Sequence, residues 1–119
     1  MKSAIIIEDD FIIRLFMGKE LQKSGYEVVA SLDRGEDLAK NVEKYRPDLI
    51  LVDVELNGDL DGIDAVSGID IEHRPELVFV TGSALEHVRE RTEPLRPLAI
   101  LSKPFDLKKF NEAVTPESR

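Results

Sequence analysis

The chain has 119 residues, of which 42% are hydrophobic and 34% are charged, so it is long enough for one domain with a buried core. Its 24 acidic residues outnumber 16 basic ones, and the net charge of −8 argues against nucleic acid or an anionic membrane as a partner. Cysteine is absent, which excludes disulfides and thiolate metal sites, and the first apolar run is too short for a signal peptide or a membrane span. These features predict a soluble cytoplasmic protein.

The first half of the chain alternates short apolar runs with helical patterns. The run 4–7 predicts a strand, and apolar residues at helical spacing predict a helix over 11–24. A second strand is predicted at 26–30, followed by a helix that Pro47 ends. The third strand, 48–53, is almost wholly apolar, as expected when both faces of a strand are buried. The residues predicted on the inner face of the first helix are Ile13, Phe16, Met17 and Leu21.

The second half of the chain repeats this alternation. Apolar residues at helical spacing predict a third helix over 63–69, and a fourth strand follows at 77–81. A short polar helix with Leu85 and Val88 facing inward comes next, and then a fifth strand at 98–101. The apolar stripe of the last predicted helix consists of Leu107, Phe110 and Val114.

Five successive strand–helix units predict an α/β fold, in which a five-stranded parallel sheet carries helices on both faces. The strand order 2-1-3-4-5, the doubly wound, flavodoxin-like arrangement, fits this length. The sequence shows neither an internal repeat nor a linker. We therefore expect a single domain over residues 1–119, without a separate DNA-binding or catalytic output domain.

Four of the predicted strands end on residues suited to acyl-phosphate chemistry. These residues are Glu8, Asp9, Asp10, Asp53, Thr81 and Lys103. The carboxyl ends of parallel strands form one edge of a sheet, so these side chains are expected to meet there. Clustered carboxylates repel one another unless a cation lies among them, and Mg²⁺ suits a site with one or two carboxylates. The set is predicted to hold a divalent cation and a phosphoryl group on Asp53.

Three of these residues also have an ordinary structural interpretation. An Asp at a strand end, such as Asp53, is often a helix cap or one half of an ion pair. Most lysines, like Lys103, lie on the surface, and Thr81 followed by Gly82 is also a turn signal. The order and placement of the residues together favour the chemical interpretation.

These motifs resemble the receiver domain of two-component response regulators, and the resemblance covers essentially the whole chain. The segments that carry it are Ile6-Ile7-Glu8-Asp9-Asp10, Leu51-Val52-Asp53, Asp61-Gly62, Val80-Thr81-Gly82 and Ser102-Lys103-Pro104-Phe105. The stretch from Phe79 to Ser83 also resembles a subgroup with a Phe-Ala-Thr-Gly signature, which is often found as single-domain proteins.

The resemblance implies that Asp53 accepts a phosphoryl group from a histidine kinase or a histidine phosphotransfer protein. It implies that Thr81 and Lys103 bind the phosphoryl oxygens. Proteins of this kind catalyse only their own phosphorylation and dephosphorylation, so no further enzymatic activity is expected. The signal is expected to pass by phosphorylation-dependent partner binding or by phosphoryl relay.

The resemblance also implies a Mg²⁺ site. The implied ligands are Glu8, Asp9, Asp10, Asp53 and the backbone carbonyl of Glu55. Arg14 matches a basic position in the first helix and fixes this alignment. On that alignment, Glu8 and Asp9 are the acidic pair of the family, with Asp9 the expected direct ligand and Asp10 a flanking third acid.

The surface expected to contact partners is also carried over from the family. It consists of residues 83–92, 98–101 and 105–114, and a weak homodimer through this Ser83–Val114 face is one expectation. Receiver domains usually carry an aromatic residue three places before the lysine, and here that place holds Ile100. The usual coupling of phosphorylation to rotation of that aromatic side chain is therefore not expected.

Other functions remain open from the sequence. One is a calcium-binding loop, because acidic and amide side chains recur at the spacing of an EF-hand loop. These residues are Asp53, Glu55, Asn57, Asp59, Asp61 and Asp64. The segment before them is strand-like, however, and the last position lacks the usual Glu. A docking module without phosphorylation and a hydrolase with an aspartyl-phosphate intermediate are further alternatives. His73 and His87 lie among charged residues and are predicted to be surface residues.

Overall fold

A parallel sheet of five strands forms the centre of the computed structural model, which describes residues 1–69 and 75–114. The strands are β1 (Lys2–Ile7), β2 (Tyr26–Leu32), β3 (Leu49–Asp53), β4 (Glu76–Thr81) and β5 (Ala99–Ser102). Their order across the sheet is β2-β1-β3-β4-β5, and every neighbouring pair is parallel. The doubly wound order predicted from the sequence is confirmed.

Helices connect successive strands and cover both faces of the sheet. They are α1 (Phe11–Lys23), α2 (Leu38–Tyr45), α3 (Gly62–Ser67), α4 (Leu85–Thr92) and α5 (Leu107–Val114). Short 3₁₀ helices at Gly35–Asp37 and Glu93–Leu95 precede α2 and follow α4. Within residues 1–69 and 75–114, none of the helices has the length and hydrophobicity that crossing a bilayer requires.

Two apolar layers hold the helices on the sheet. Alternate residues of the strands point to opposite faces, so that Ile6 and Leu51 pack toward α1 and α5 while Ile5 and Val52 pack toward α2, α3 and α4. All five residues of β3 are buried, as its apolar sequence predicts. Each fully buried side chain of this size stabilises the fold by about 1.5–3 kcal/mol.

Helix α1 differs from its predicted orientation. Met17 and Leu21 are fully buried as expected, but Ile13 and Phe16 are 36% and 47% exposed. Apolar residues occupy almost every position of the first turns of α1, so the apolar spacing does not define one inner face. The side chains left in solvent include Phe11, Ile12 and Leu15, and we call them, with Ile13 and Phe16, the exposed α1 row.

The edge strand β2 is longer than predicted and continues two residues beyond Ala30. Its pairing with β1 shifts by one residue, since Ala4 pairs with Val28 whereas Ile5 pairs with Ala30. Such a bulge leaves one residue unpaired and restores the pairing beyond it. The polar residue in this extension, Ser31, is exposed at the sheet edge, so its hydroxyl group is not removed from water.

Candidate functional site

Three carboxylates converge where β1 and β3 end. Ile7 pairs with Val52 in the sheet, so the residues that follow them lie side by side at the same edge. Glu8, Asp9 and Asp53 each place a carboxylate oxygen within 4.8 Å of the other two. The predicted meeting of these three acids at the carboxyl edge is therefore present in the structure.

Because Glu8 and Asp53 are buried, keeping both of their carboxylates ionised is unfavourable unless a positive charge compensates them. Glu8 is 1% exposed and Asp53 is fully buried. Burial raises the pKa of Glu8 to about 7, and the nearby charge of Asp53 adds to the shift. Burial also raises the pKa of Asp53 above its ordinary value, although the hydrogen bond and the positive charge of Lys103 oppose the change.

Two oxygens of the cluster lack donors. Oε1 of Glu8 and Oδ2 of Asp53 are buried and have no hydrogen-bond partner among residues 1–69 and 75–114. Buried carboxylate oxygens are costly when they are left unsatisfied. Both oxygens would be satisfied if they coordinated a small divalent cation. Mg²⁺ prefers hard oxygen ligands, and the three carboxylates supply them. The residues present therefore fit a magnesium ion.

Asp10 lies outside this three-carboxylate cluster and has a different role. Its Oδ1 accepts a hydrogen bond of 3.0 Å from the backbone N–H of Ile13, which makes Asp10 the N-cap of α1. Its own backbone N–H donates to Oε2 of Glu8 at 3.1 Å. An Asp just before the first helical residue is a known sequence signal for a cap, and that signal was available here.

Arg14 supports the acidic residues through the backbone rather than through their side chains. Its Nη1 donates a hydrogen bond of 2.7 Å to the backbone carbonyl of Glu8. Its guanidinium also lies over the ring of Phe11, 5.6 Å from the ring centre. Arg14 therefore fixes the turn between β1 and α1, at the place where the acidic residues emerge.

Lys103 extends from the end of β5 toward the phosphoacceptor candidate. Its Nζ lies 2.9 Å from Oδ1 of Asp53, and its side chain is 29% exposed. Burial by itself would lower the pKa of Lys103, but the hydrogen bond to Asp53 and the surrounding negative charge outweigh burial and raise it. Lys103 is therefore a charged partner of Asp53.

Thr81 lies at the same edge, and its hydroxyl is bound by a neighbour that the sequence did not reveal. Thr81 is fully buried, and its Oγ1 donates to Oε2 of Glu55 at 2.6 Å. The backbone N–H of Gly82 donates to Oε1 of the same carboxylate, also at 2.6 Å. The prediction for Glu55 concerned its backbone carbonyl, whereas the structure gives its side chain a separate set of contacts.

The loop between β3 and α3 is attached to the site by backbone hydrogen bonds. The N–H of Glu55 donates to Oδ1 of Asp53 at 3.1 Å, and the N–H of Asn57 donates to Oδ2 of Asp9 at 3.0 Å. Gly62 donates its N–H to the carbonyl of Val54 at 2.9 Å. These bonds position the backbone of Glu55 beside the acidic cluster.

Three of the acids in the calcium-loop pattern have other partners in this structure. Asp61 and Asp64 form a capping box at the start of α3, and Arg91 of α4 forms ion pairs with both. The carboxylate of Glu55 is bound to Thr81. These carboxylates are committed to separate contacts and are not directed at one centre, so the geometry does not favour the calcium interpretation.

Two further predictions concern the surroundings of the site. Ile100 of β5 is half-buried and packs against the apolar layer on the α4 side of the sheet. His87 is exposed on α4, as predicted, whereas His73 lies outside the described residues.

Comparison with known proteins gives relatives for almost the whole chain. Residues 4–115 match the family model of the response regulator receiver domain. The chain is 30% identical over 113 residues to the transcriptional regulatory protein PdtaR of Mycobacterium tuberculosis, with 95% of this chain and 55% of PdtaR covered. It is 31% identical over 109 residues to the response regulator receiver protein CpdR of Brucella abortus, with 91% and 89% covered. The chain thus spans about half the length of PdtaR and most of CpdR.

Solved structures agree with the topology. A CheY-like response regulator receiver domain protein from Methanospirillum hungatei superposes with a TM-score of 0.84, covering 99% of this chain and 94% of that one. The two sequences are 21% identical, so this similarity concerns the fold.

Proposed function

Because the chain belongs to the response regulator receiver domain family of two-component systems, we propose that Asp53 accepts a phosphoryl group from a histidine kinase or a histidine phosphotransfer protein. The observation that carries this proposal is the environment of the Asp53 carboxylate. Its Oδ1 is bound by Lys103, while its Oδ2 is unpaired among the described residues and lies in the cluster with Glu8 and Asp9.

The reaction assigned to Asp53 is a displacement at phosphorus. A carboxylate oxygen of Asp53 forms the new O–P bond while the N–P bond of the donor phosphohistidine breaks, and the histidine nitrogen keeps the electron pair. Lys103 and the hydroxyl of Thr81 then bind oxygens of the transferred group. Hydrolysis reverses the modification when water attacks phosphorus and the Asp53 carboxylate leaves. We propose no enzymatic activity beyond these two steps.

The magnesium ion would be held by the carboxylates of Glu8, Asp9 and Asp53 together with the backbone carbonyl of Glu55. When bound, the ion supplies positive charge that offsets the charge of the carboxylates and of the phosphoryl oxygens. Asp10 would remain a flanking acid of the metal site. Because its side chain caps α1, its contribution to metal binding would be indirect.

The output of the protein is part of the same proposal. Its phosphorylation would alter the binding of a protein partner at the Ser83–Val114 face, or would pass the phosphoryl group onward, and a weak homodimer could use the same face. Ile100 has no aromatic ring to rotate, so the coupling would differ from the usual aromatic switch. The expected cytoplasmic location belongs to this proposal as well.

Intact-mass spectrometry tests the chemistry directly. The protein is incubated with acetyl phosphate and Mg²⁺ beside Asp53→Asn and the matched control Asp59→Asn, which changes an exposed Asp of the neighbouring loop. A single phosphoryl adduct in the wild type and in Asp59→Asn, absent from Asp53→Asn and from samples with EDTA, is the expected result. A folded wild type without an adduct would contradict the proposal and favour a docking module that works without phosphorylation.

A further inference from the structure

The side chain of Glu55 binds the hydrogen-bond donors that follow β4. Its Oε2 accepts from the hydroxyl of Thr81 and its Oε1 accepts from the backbone N–H of Gly82, both at 2.6 Å. The hydroxyl of Ser83 lies 3.5 Å from Oε2. Distances of 2.6 Å are typical of strong, charge-assisted hydrogen bonds. The Glu55 carboxylate therefore lies in a set of donors suited to an oxyanion.

This carboxylate also lies beside the phosphoacceptor candidate. Nζ of Lys103 is 2.9 Å from Oδ1 of Asp53 and 3.8 Å from Oε1 of Glu55. A Cβ atom on Gly82 would have that same Oε1 and the Lys103 side chain as its neighbours, at 3.6 and 3.7 Å. A phosphoryl group on Asp53 would thus enter the space between Lys103 and the donors that Glu55 now holds.

We propose that the Glu55 side chain occupies the phosphoryl-oxygen site in the resting protein, and that phosphorylation requires its carboxylate to leave Thr81 and Gly82. The inference rests on the proposed function of Asp53. Glu55 acts as a positioning residue, because it controls the two donors and does not itself react. Its carbonyl, which is the part assigned to the metal site, is unaffected by a change of side chain.

Competition between the two anions follows from charge and geometry. A phosphoryl group carries a charge of about −1.5 to −2 and needs several donors. The Glu55 carboxylate uses two of these donors, and its own charge repels the incoming group. The side chain of Glu55 is 38% exposed, so it can move into water without opening the core. The Glu55 side chain should therefore weaken binding of the phosphoryl group, and its displacement should not disturb the fold.

Beryllofluoride measures this competition at equilibrium, since it forms a bond from a carboxylate oxygen to beryllium with loss of fluoride and so mimics an aspartyl phosphate. We compare the wild type with Glu55→Ala and the isosteric Glu55→Gln, in the presence of Mg²⁺. Asp59→Ala is the matched control, because it removes one exposed negative charge from the same loop that carries Glu55. Asp53→Asn defines the absence of binding.

The expected result is an affinity for beryllofluoride that rises by at least about tenfold in both Glu55 variants and stays within about twofold of wild type in Asp59→Ala. A second readout uses the metal-free protein without any ligand. The amide proton of Gly82 should appear at unusually high frequency in the wild type and move to lower frequency in Glu55→Ala, but not in Asp59→Ala.

The outcomes separate the two proposals. Equal affinity in wild type and both Glu55 variants, or an unmoved Gly82 amide, would overturn the role of Glu55 and leave the function of Asp53 standing. If the wild type and the Glu55 variants all fail to bind beryllofluoride, the proposed function is overturned, and the role of Glu55 is overturned with it.

Discussion

The backbone of Gly62 packs directly against the carbonyl group of Asp53. A Cβ atom at position 62 would overlap that carbonyl oxygen and would lie 2.6 Å from Cγ1 of Val52, both of which belong to the buried strand β3. The residue that begins α3 is therefore held against the strand that carries the phosphoacceptor candidate, with no room for a side chain between them.

The first prediction concerns this contact. Gly62→Ala should lower the free energy of unfolding by about 1–3 kcal/mol, because backbone atoms must move apart to admit the methyl group. Urea denaturation followed by circular dichroism measures the loss. Gly68→Ala is the matched control, since its Cβ would meet atoms only at 3.6 Å and beyond and its φ of −82° suits alanine. Equal stabilities of the two variants would contradict the tight packing.

A second prediction separates the roles of neighbouring acids. Asp9→Asn should weaken Mg²⁺ binding by about tenfold or more, because it removes a charged oxygen from the cluster. Asp10→Asn should leave Mg²⁺ affinity within about twofold, since asparagine also caps helices, whereas Asp10→Ala should cost about 1 kcal/mol of stability. Magnesium titration by NMR and thermal denaturation provide the two measurements. A large loss of affinity in Asp10→Asn would make Asp10 a ligand instead of a cap.

A third prediction follows from the raised pKa of Glu8. In the unfolded chain Glu8 ionises near its ordinary pKa of 4.5, whereas burial keeps it protonated in the folded protein up to about pH 7. The folded state therefore binds more protons than the unfolded state between these values, and stability falls as the pH rises through them. Denaturation in EDTA from about pH 4.5 to about pH 8 should show this loss, and Glu8→Gln should remove part of it. Parallel profiles for the two proteins would contradict the assignment.

A fourth prediction concerns the link between α4 and α3. Nη1 of Arg91 lies 2.7 Å from Oδ2 of Asp61, and Nη2 lies 3.4 Å from Oδ1 of Asp64. Burial would raise the pKa of Asp61, but the hydrogen bond from Arg91 and the capping bonds outweigh burial and lower it. Arg91→Met should cost about 0.5 kcal/mol at neutral pH, a small value because Arg91 is half-exposed.

The pH dependence of that difference provides its check. A carboxyl with a lowered pKa contributes stability above its ordinary value of 3.8, and this contribution is lost as the pH falls through the lowered value. The gap between wild type and Arg91→Met should therefore close in acid. Arg89→Met, on the exposed surface of the same helix, should show no such gap. An equal loss in both variants would point to helix propensity and not to the ion pair.

The sheet and the place of its acids could be predicted because they depend on local pattern. Continuous apolar runs such as 49–52 identified buried parallel strands, and parallel strands necessarily bring Glu8 and Asp53 to the same edge. Boundaries were less accurate at β2, which runs two residues past its predicted end and pairs with β1 through a one-residue shift. That shift depends on the neighbouring strand and leaves no mark in the sequence of β2 itself.

Side-chain partners across the fold could not be predicted in the same way. The contact between Glu55 and Thr81 joins residues 26 positions apart, and that between Arg91 and Asp61 joins residues 30 apart. Nothing in the sequence says which of many exposed acids an arginine or a threonine will meet, because the choice depends on how two loops approach each other. Ile13 and Phe16 illustrate the converse case, in which apolar residues at helical spacing remain 36% and 47% exposed.

The exposed α1 row also affects how the protein behaves at high concentration. Five large apolar side chains of α1 are 36–70% exposed, and the net charge of −8 opposes the approach of two copies of the protein. Lowering the pH brings the net charge toward zero, and a high salt concentration screens it. Both changes weaken the repulsion and leave the attraction between apolar side chains in place. Solubility should therefore fall under those conditions. Ile12→Glu, which removes an exposed apolar side chain and adds negative charge, should extend the range of buffers in which concentrated samples stay clear.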